Sequence, residues 1–125
     1  MRPRHSAHLC PMFQRAMDVL GKPWNGHLLA TLAEGGTLRF GELRQRLTTM
    51  GDRMLALRLR ELEARGLIER RVQPGPPVRV DYALTETGQG FVVVAAAIGS
   101  WGSRLRPVAG EETGDGCGQG QSPTA

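Results

Sequence analysis

Between Glu42 and Gly66 the leucines fall into two short helical patterns separated by a polar break, and this arrangement limits the possible folds more than any other part of the chain. Glu42 to Leu47 has room for about two turns with Leu43 and Leu47 facing inward, and Thr48-Thr49-Met50-Gly51 then interrupts the pattern. Asp52 can cap a new helix, Arg53 to Arg65, in which Leu55, Leu59 and Leu62 recur at i, i+4 and i+7 and Gly66 supplies a left-handed stop. Two helices joined by a short turn result.

The segments on either side extend this into a recognisable order. A short extended piece, Leu38 to Phe40, precedes the pair. After it, Leu67 to Val72 and Val78 to Leu84 are β-rich runs around Gln73-Pro74-Gly75-Pro76-Pro77, which reads as a hairpin with a proline-stiffened tip. Upstream, Cys10-Pro11 opens a helix running to about Leu20, with Phe13, Ala16, Met17 and Leu20 at helical spacing and Gly21 as its stop. A second helix starts near Pro23, carries Trp24, His27, Leu28, Thr31 and Leu32, and ends at Gly35-Gly36.

Thr85 caps a last helix, Glu86 to about Leu105, whose middle from Val92 to Ile98 has no polar face. Its β-branched residues also suit a strand, but three alanines and the length of the capped segment argue for a helix. A helix apolar all round is buried on both sides, and a chain of 125 residues has little left to cover the second, so a partner subunit is expected. The fold expected is mainly α with a small antiparallel β-hairpin: a winged helix-turn-helix over residues 10–106, between a flexible arm at 1–9 and a disordered Gly-rich tail at 107–125.

The charge supports this. Of 16 basic residues all but Lys22 are arginine, a bias that a GC-rich genome would also produce, so position matters more than total. From Arg39 to Arg79 there are ten arginines against five acids, a local net charge of +5, and nucleic acid is the obvious acidic partner.

A helix-turn-helix sets its second helix in the major groove and lays the hairpin along neighbouring phosphates. With the leucines inward, the outward face near the start of that helix holds Arg53, Ala56, Leu57 and Arg60. Arg53 and Arg60 suit guanine, Ala56 or Leu57 a thymine methyl, and Asp52, if not simply an N-cap, cytosine. Arg39, Arg70, Arg71 and Arg79 are candidates for phosphate or minor-groove contact; Arg58 and Arg65 read as solvated or paired with Glu61 and Glu69.

The motifs Cys10-Pro11, Lys22-Pro23-Trp24, Arg39-Phe40-Gly41-Glu42-Leu43, Leu59-Arg60-Glu61-Leu62-Glu63, Gly66-Leu67-Ile68, Arg70, Asp81-Tyr82, Leu84-Thr85 and Gly88 together resemble the HxlR family of winged-helix regulators, over residues 10–101. The resemblance implies a MarR-like transcription regulator, a repressor or activator, working as a homodimer built from the first and last helices on double-stranded DNA. Phe13, Met17, Phe91, Val94, Ile98 and Trp101 then face the partner, and an electrophile or small molecule is the effector. Two positions depart from the pattern: Pro23 interrupts the usual Lys-Trp, and Leu57 stands where a polar group is usual.

Cys10 occupies the position that in several members senses oxidants or electrophiles. A thiol at a helix N-terminus gains from the helix dipole and free N–H groups, and Arg4, His5, His8 and Arg15 add positive charge nearby. The same residue also reads as a plain capping or packing group. His5, His8 and Cys10 offer three zinc ligands without a fourth, so no metal or other cofactor is expected, and Cys117 in the tail reads as incidental.

Catalysis is not expected, since no nucleophile-base constellation or phosphate-cradling glycine loop can be localised. Met1 to Pro11 has no apolar signal region and Phe91 to Ile98 is too short to span a bilayer, so a cytoplasmic location without membrane contact is expected. Two rivals use the same fold: a small ligand held in a dimer cleft near Trp24, His27, Phe91 and Trp101, or a winged helix devoted to protein contact.

Overall fold

The computed structural model describes residues 10–111. In chain order these form α1 (Pro11–Leu20), α2 (Asn25–Gly35), β1 (Leu38–Arg39), α3 (Phe40–Arg46), α4 (Asp52–Ala64), β2 (Ile68–Gln73), β3 (Arg79–Leu84), α5 (Glu86–Gln89) and α6 (Phe91–Gly102). The sheet is antiparallel in the order β1-β3-β2, with Leu38 opposite Tyr82 and Ile68 opposite Leu84. This is the winged helix-turn-helix expected from the leucine pattern, with β1 adding a third strand to the hairpin. The chain divides into two compact units, the first ending at Val92 and the second beginning at Val93.

The core of the first unit joins Leu28, Leu29 and Leu32 of α2 to Leu43 of α3, Leu55, Leu59 and Leu62 of α4, and Ile68 and Leu84 of the sheet. Leu28, Leu43 and Leu55 are 0% exposed, so the i, i+4, i+7 stripe of α4 is fully committed to packing. Met50 is 3% exposed and its N–H bonds the Leu47 carbonyl at 3.0 Å. The segment between α3 and α4 is therefore not simply a polar break: Met50 pins the turn to the core.

Several boundaries differ from expectation for physical reasons. The second helix begins at Asn25 because Trp24 takes a left-handed backbone conformation, φ 74°, which interrupts helix formation after Pro23. The residue capping α4 is Gly51, and Asp52 lies inside the first turn with its carboxylate turned to Arg44 of α3, so the expected Asp52 cap is corrected. At α3, Glu42 Oε1 accepts from the Arg39 N–H at 2.8 Å, which starts the helix at Phe40. Arg39 cannot return the second bond of a capping box, because a guanidinium only donates.

The base of the hairpin is fastened by one residue. The Thr85 hydroxyl donates to the Gly66 carbonyl at 2.6 Å and accepts from the Gly88 N–H at 3.0 Å, while the Thr85 N–H bonds the Leu67 carbonyl at 3.0 Å. Gly88 is buried there, and a Cβ on it would stand 2.1 Å from the Leu67 carbonyl oxygen. Thr85 caps a helix as expected, but that helix is the four-residue α5; Gly90 separates it from α6, which ends at Gly102.

The apolar segment after Gly90 is a helix, not a strand. None of its residues is buried in the single chain: Val93 is 74% exposed and Trp101 60%, with Val94 and Ile98 also exposed. Phe91 differs from them, packing half-buried against the core of the first unit. No helix among the described residues is long and apolar enough to cross a membrane. The expected arm, residues 112–125 of the expected tail, and with them His5, His8 and Cys117, lie outside the described residues.

Candidate nucleic-acid interface

Burying Leu55, Leu59 and Leu62 turns the opposite side of α4 outward. Arg53, Leu57 and Arg60, at i, i+4 and i+7, are exposed together, and Ala56 is half-buried at the edge of that face. Among the described residues neither Arg53 nor Arg60 forms an ion pair, so both guanidinium forks are available to an acidic partner. Asp52 is not: Arg44 Nη1 stands 3.1 Å from its carboxylate, and the pair ties α3 to the first turn of α4.

The wing arginines divide in the same way. Arg39 of β1 faces Asp81 of β3 at 4.0 Å, and Gln73 donates to the same carboxylate at 2.8 Å. Arg71 pairs with Glu69 on its own strand, so the expected pairing of Glu69 with Arg65 is replaced. Arg70 and Arg79 are exposed and, among the described residues, unpaired. The site thus presents four uncommitted arginines, 53, 60, 70 and 79, on the second helix and the hairpin of one motif.

Arg58 has the opposite role. It is 8% exposed, its Nε donates to the Pro23 carbonyl at 3.1 Å, and its Nη1 meets Glu61 Oε1 at 2.8 Å. Lys22 lies 3.5 Å from the other Glu61 oxygen. Hydrogen bonding from Arg58, helped by the Lys22 charge, holds the Glu61 carboxyl below its ordinary range. The corner between α1 and α2 is thereby fastened to α4. This was the functional grouping least evident beforehand, although Arg58 lies three residues after Leu55 and four before Leu62, on the inward stripe itself.

At the other end of α1, Cys10 is the N-cap residue and half-exposed. Its thiol closes no capping hydrogen bond, yet the N–H groups of Phe13 and Met12, and more weakly the Arg15 charge, lower its pKa from the ordinary 9.0. Partial positive charge at an open helix end acts beyond hydrogen-bond length, so the thiolate is more accessible than in an ordinary cysteine even without a formed cap. Phe13 and Met17 of α1 are exposed. Trp24 and His27 stack tilted with ring centroids 5.4 Å apart, and Trp24 packs against the core. Among the described residues no three His, Cys, Asp or Glu side chains gather as a metal site.

Residues 19–109 match the HxlR-like helix-turn-helix family. The chain belongs to the HxlR family. Within it, the chain is 38% identical over 97 residues to the HTH-type transcriptional regulator YodB of Bacillus subtilis, a match covering 78% of this chain and 86% of YodB. The structure of reduced YodB superposes with a TM-score of 0.72 at 38% identity, covering 77% of this chain and 93% of that one. The redox regulator HypR in its oxidised form gives 0.68 at 37% identity, with 79% and 100% covered. Quinone-bound YodB gives 0.69 at 34% identity, with 77% and 100% covered. The chain is accordingly a helix-turn-helix transcription regulator of the HxlR family and not an enzyme.

Proposed function

We propose that this regulator binds an inverted-repeat operator as a homodimer, with α4 in the major groove, and that modification of Cys10 changes that binding. The observation that carries the DNA reading is the face of α4 on which Arg53, Leu57 and Arg60 are exposed and both arginines unpaired among the described residues. Bidentate arginine suits guanine, and Leu57 and Ala56 suit a thymine methyl. Arg70 and Arg79, with Arg39 and Arg71 after exchange of their carboxylate partners, supply phosphate contacts that position the duplex. Asp52 reaches cytosine only when Arg44 releases it.

Support for the dimer comes from the apolar surface of α6, Val94, Ile98 and Trp101, and from Phe13 and Met17 on α1, all exposed in the single chain. Burying surface of this kind against a second copy is favourable at about 25 cal/mol per Å². Light scattering is expected to give twice the chain mass, and Ile98→Asp to return a monomer.

For the switch, support comes from the lowered pKa of Cys10 and from the redox and quinone states in which YodB and HypR are known. With a quinone, the thiolate adds to a ring carbon, a C–S bond forms as the ring C=C π bond breaks, and the hydrogen of that carbon and one proton from solvent pass to the two oxygens, leaving a hydroquinone. The test is fluorescence anisotropy on the protein's own upstream DNA across a salt series, with and without benzoquinone. Salt-sensitive, sequence-preferring binding that benzoquinone alters in the parent chain but not in Cys10→Ser supports the proposal. Binding indifferent to quinone removes the switch, and no preference over random duplex removes the operator.

A further inference from the structure

Directly opposed residues of antiparallel strands share a face of the sheet, and the register sets Arg39 of β1 and Arg71 of β2 each opposite Asp81 of β3, so the three side chains form one row. The neighbouring row, Leu38, Tyr82 and Arg70, occupies the other face, where Leu38 joins the core. The Asp81 row therefore lies on the face turned away from the core, which it shares with Glu69, Gln73 and Arg79. Both oxygens of its central carboxylate are engaged: Gln73 Nε2 donates to Oδ2 at 2.8 Å, and Arg39 Nε stands 4.0 Å from Oδ1. An ionised carboxylate only accepts, which fixes the Gln73 amide with its nitrogen toward Asp81.

The two partners of Asp81 are held unequally. Its bond to Gln73 is of normal length, whereas the Arg39 pair is longer than a hydrogen bond and the Arg39 side chain is 51% exposed, so that pair adds little to stability and yields to a stronger acceptor. A phosphate taking both arms of the guanidinium is one. Asp81, with its side chain 14% exposed, is not stranded when Arg39 leaves: Gln73 remains, and Arg71 on the other flank of the row can turn to it, because its present partner Glu69 is exposed enough to return to water. We infer that Asp81 is a positioning residue that holds Arg39 in the free protein and gives it up to a phosphate when the wing meets a duplex, so that this one carboxylate sets how tightly the sheet grips DNA of any sequence. The inference rests on the reading that the hairpin lies along the DNA backbone, and not on the operator, the dimer or the thiol switch.

The experiment measures binding of the full chain to a random-sequence duplex at low salt by fluorescence anisotropy, for the parent, Asp81→Asn, Arg39→Ala and the double variant. Asp81→Asn keeps the size of the side chain and an acceptor for Gln73, and it is expected to tighten binding. Removing the carboxylate also relieves its repulsion of phosphates, whatever stands at position 39, so the deciding quantity is the difference between backgrounds: the gain is expected to be about two- to fivefold larger with Arg39 present than in Arg39→Ala, the range for breaking an exposed ion pair. Upstream DNA is expected to gain as much as random duplex, since phosphate contacts carry no sequence information. A second measurement needs no variant. In the ¹⁵N-labelled parent chain, random duplex is expected to shift the Arg39 Nε–H signal while the Gln73 side-chain amide stays in place. Weaker binding by a folded Asp81→Asn chain, an equal gain in both backgrounds, or an Arg39 signal unmoved by bound duplex overturns the inference and leaves the DNA reading standing. A parent chain that binds no duplex at low salt overturns both.

Discussion

Arg58 of α4 donates from Nε to the carbonyl oxygen of Pro23, 3.1 Å away and 35 positions earlier in the chain. A long-range bond from a nearly buried guanidinium to a backbone acceptor is one that water cannot readily replace. Arg58→Ala removes the donor to the Pro23 carbonyl and the main partner of Glu61. The expected loss is about 1.5–3 kcal/mol of unfolding free energy, the range for hydrogen bonds made by a charged group, measured by urea denaturation. Arg58→Lys, lacking the fork that serves both acceptors, is expected to recover only part of it.

The same network gives stability a defined acid dependence. Because the folded pKa of Glu61 lies below the ordinary 4.5, the unfolded chain binds the proton more readily. The contribution of Glu61 is therefore complete above the unfolded value and is lost as pH falls through the folded one. Unfolding free energy followed downward from neutral pH is expected to decline more steeply below 4.5 in the parent chain than in Glu61→Gln.

The two kinds of arginine separate by salt and by sequence. Replacing Arg53 or Arg60 with Ala is expected to cost roughly 1–3 kcal/mol on the cognate site and to relax preference at one base pair. Replacing Arg70 or Arg79 is expected to weaken cognate and random duplex alike and to lower the salt slope by about one per residue. Titrations at several salt concentrations distinguish them.

Cys10 is expected to react with iodoacetamide with a pH midpoint below the ordinary 9.0, read in a Cys117→Ser background. Arg15→Gln is expected to move that midpoint only slightly upward, since the Phe13 and Met12 amides rather than the arginine dominate the shift. A midpoint at 9.0 or above would show that the open end of α1 does not act on the sulfur.

Gly88→Ala sets a methyl 2.1 Å from the Leu67 carbonyl oxygen, a backbone atom that cannot swing aside. A loss of about 2–3 kcal/mol is expected from overpacking of this kind, measured by thermal unfolding. Gly51→Ala, where a Cβ meets nothing within 4 Å, is the comparison expected to be mild.

Much of this was legible in the chain itself wherever one physical cause dominated. The stripe of Leu55, Leu59 and Leu62 could only face a core, and it located both the recognition helix and its outward arginines. Local chemistry misled where two causes competed. Asp52 is a good capping residue, but Arg44 offers its carboxylate a full charge, and Gly51 has the extended backbone that a cap requires. The break at Gly90 was missed because a single glycine inside a helical pattern costs only about 1 kcal/mol and does not by itself predict an interruption. Trp24 could not have been foreseen in a left-handed conformation, since what surrounds that corner comes from α4, far along the chain.

Thr85 bonds to Gly66, Leu67 and Gly88 at once, all at the root of the hairpin. The strand register from Ile68 opposite Leu84 to Gln73 opposite Arg79 is therefore decided at the end nearest the core. Residues 74–78 pair with no strand and inherit none of that constraint. They can lengthen or change composition at only the slowly growing entropy cost of a longer loop, leaving every strand pair where it is. A duplex approaching this protein meets a hairpin stiff at its root and permissive at its tip, so the same helical scaffold can carry wings of different reach.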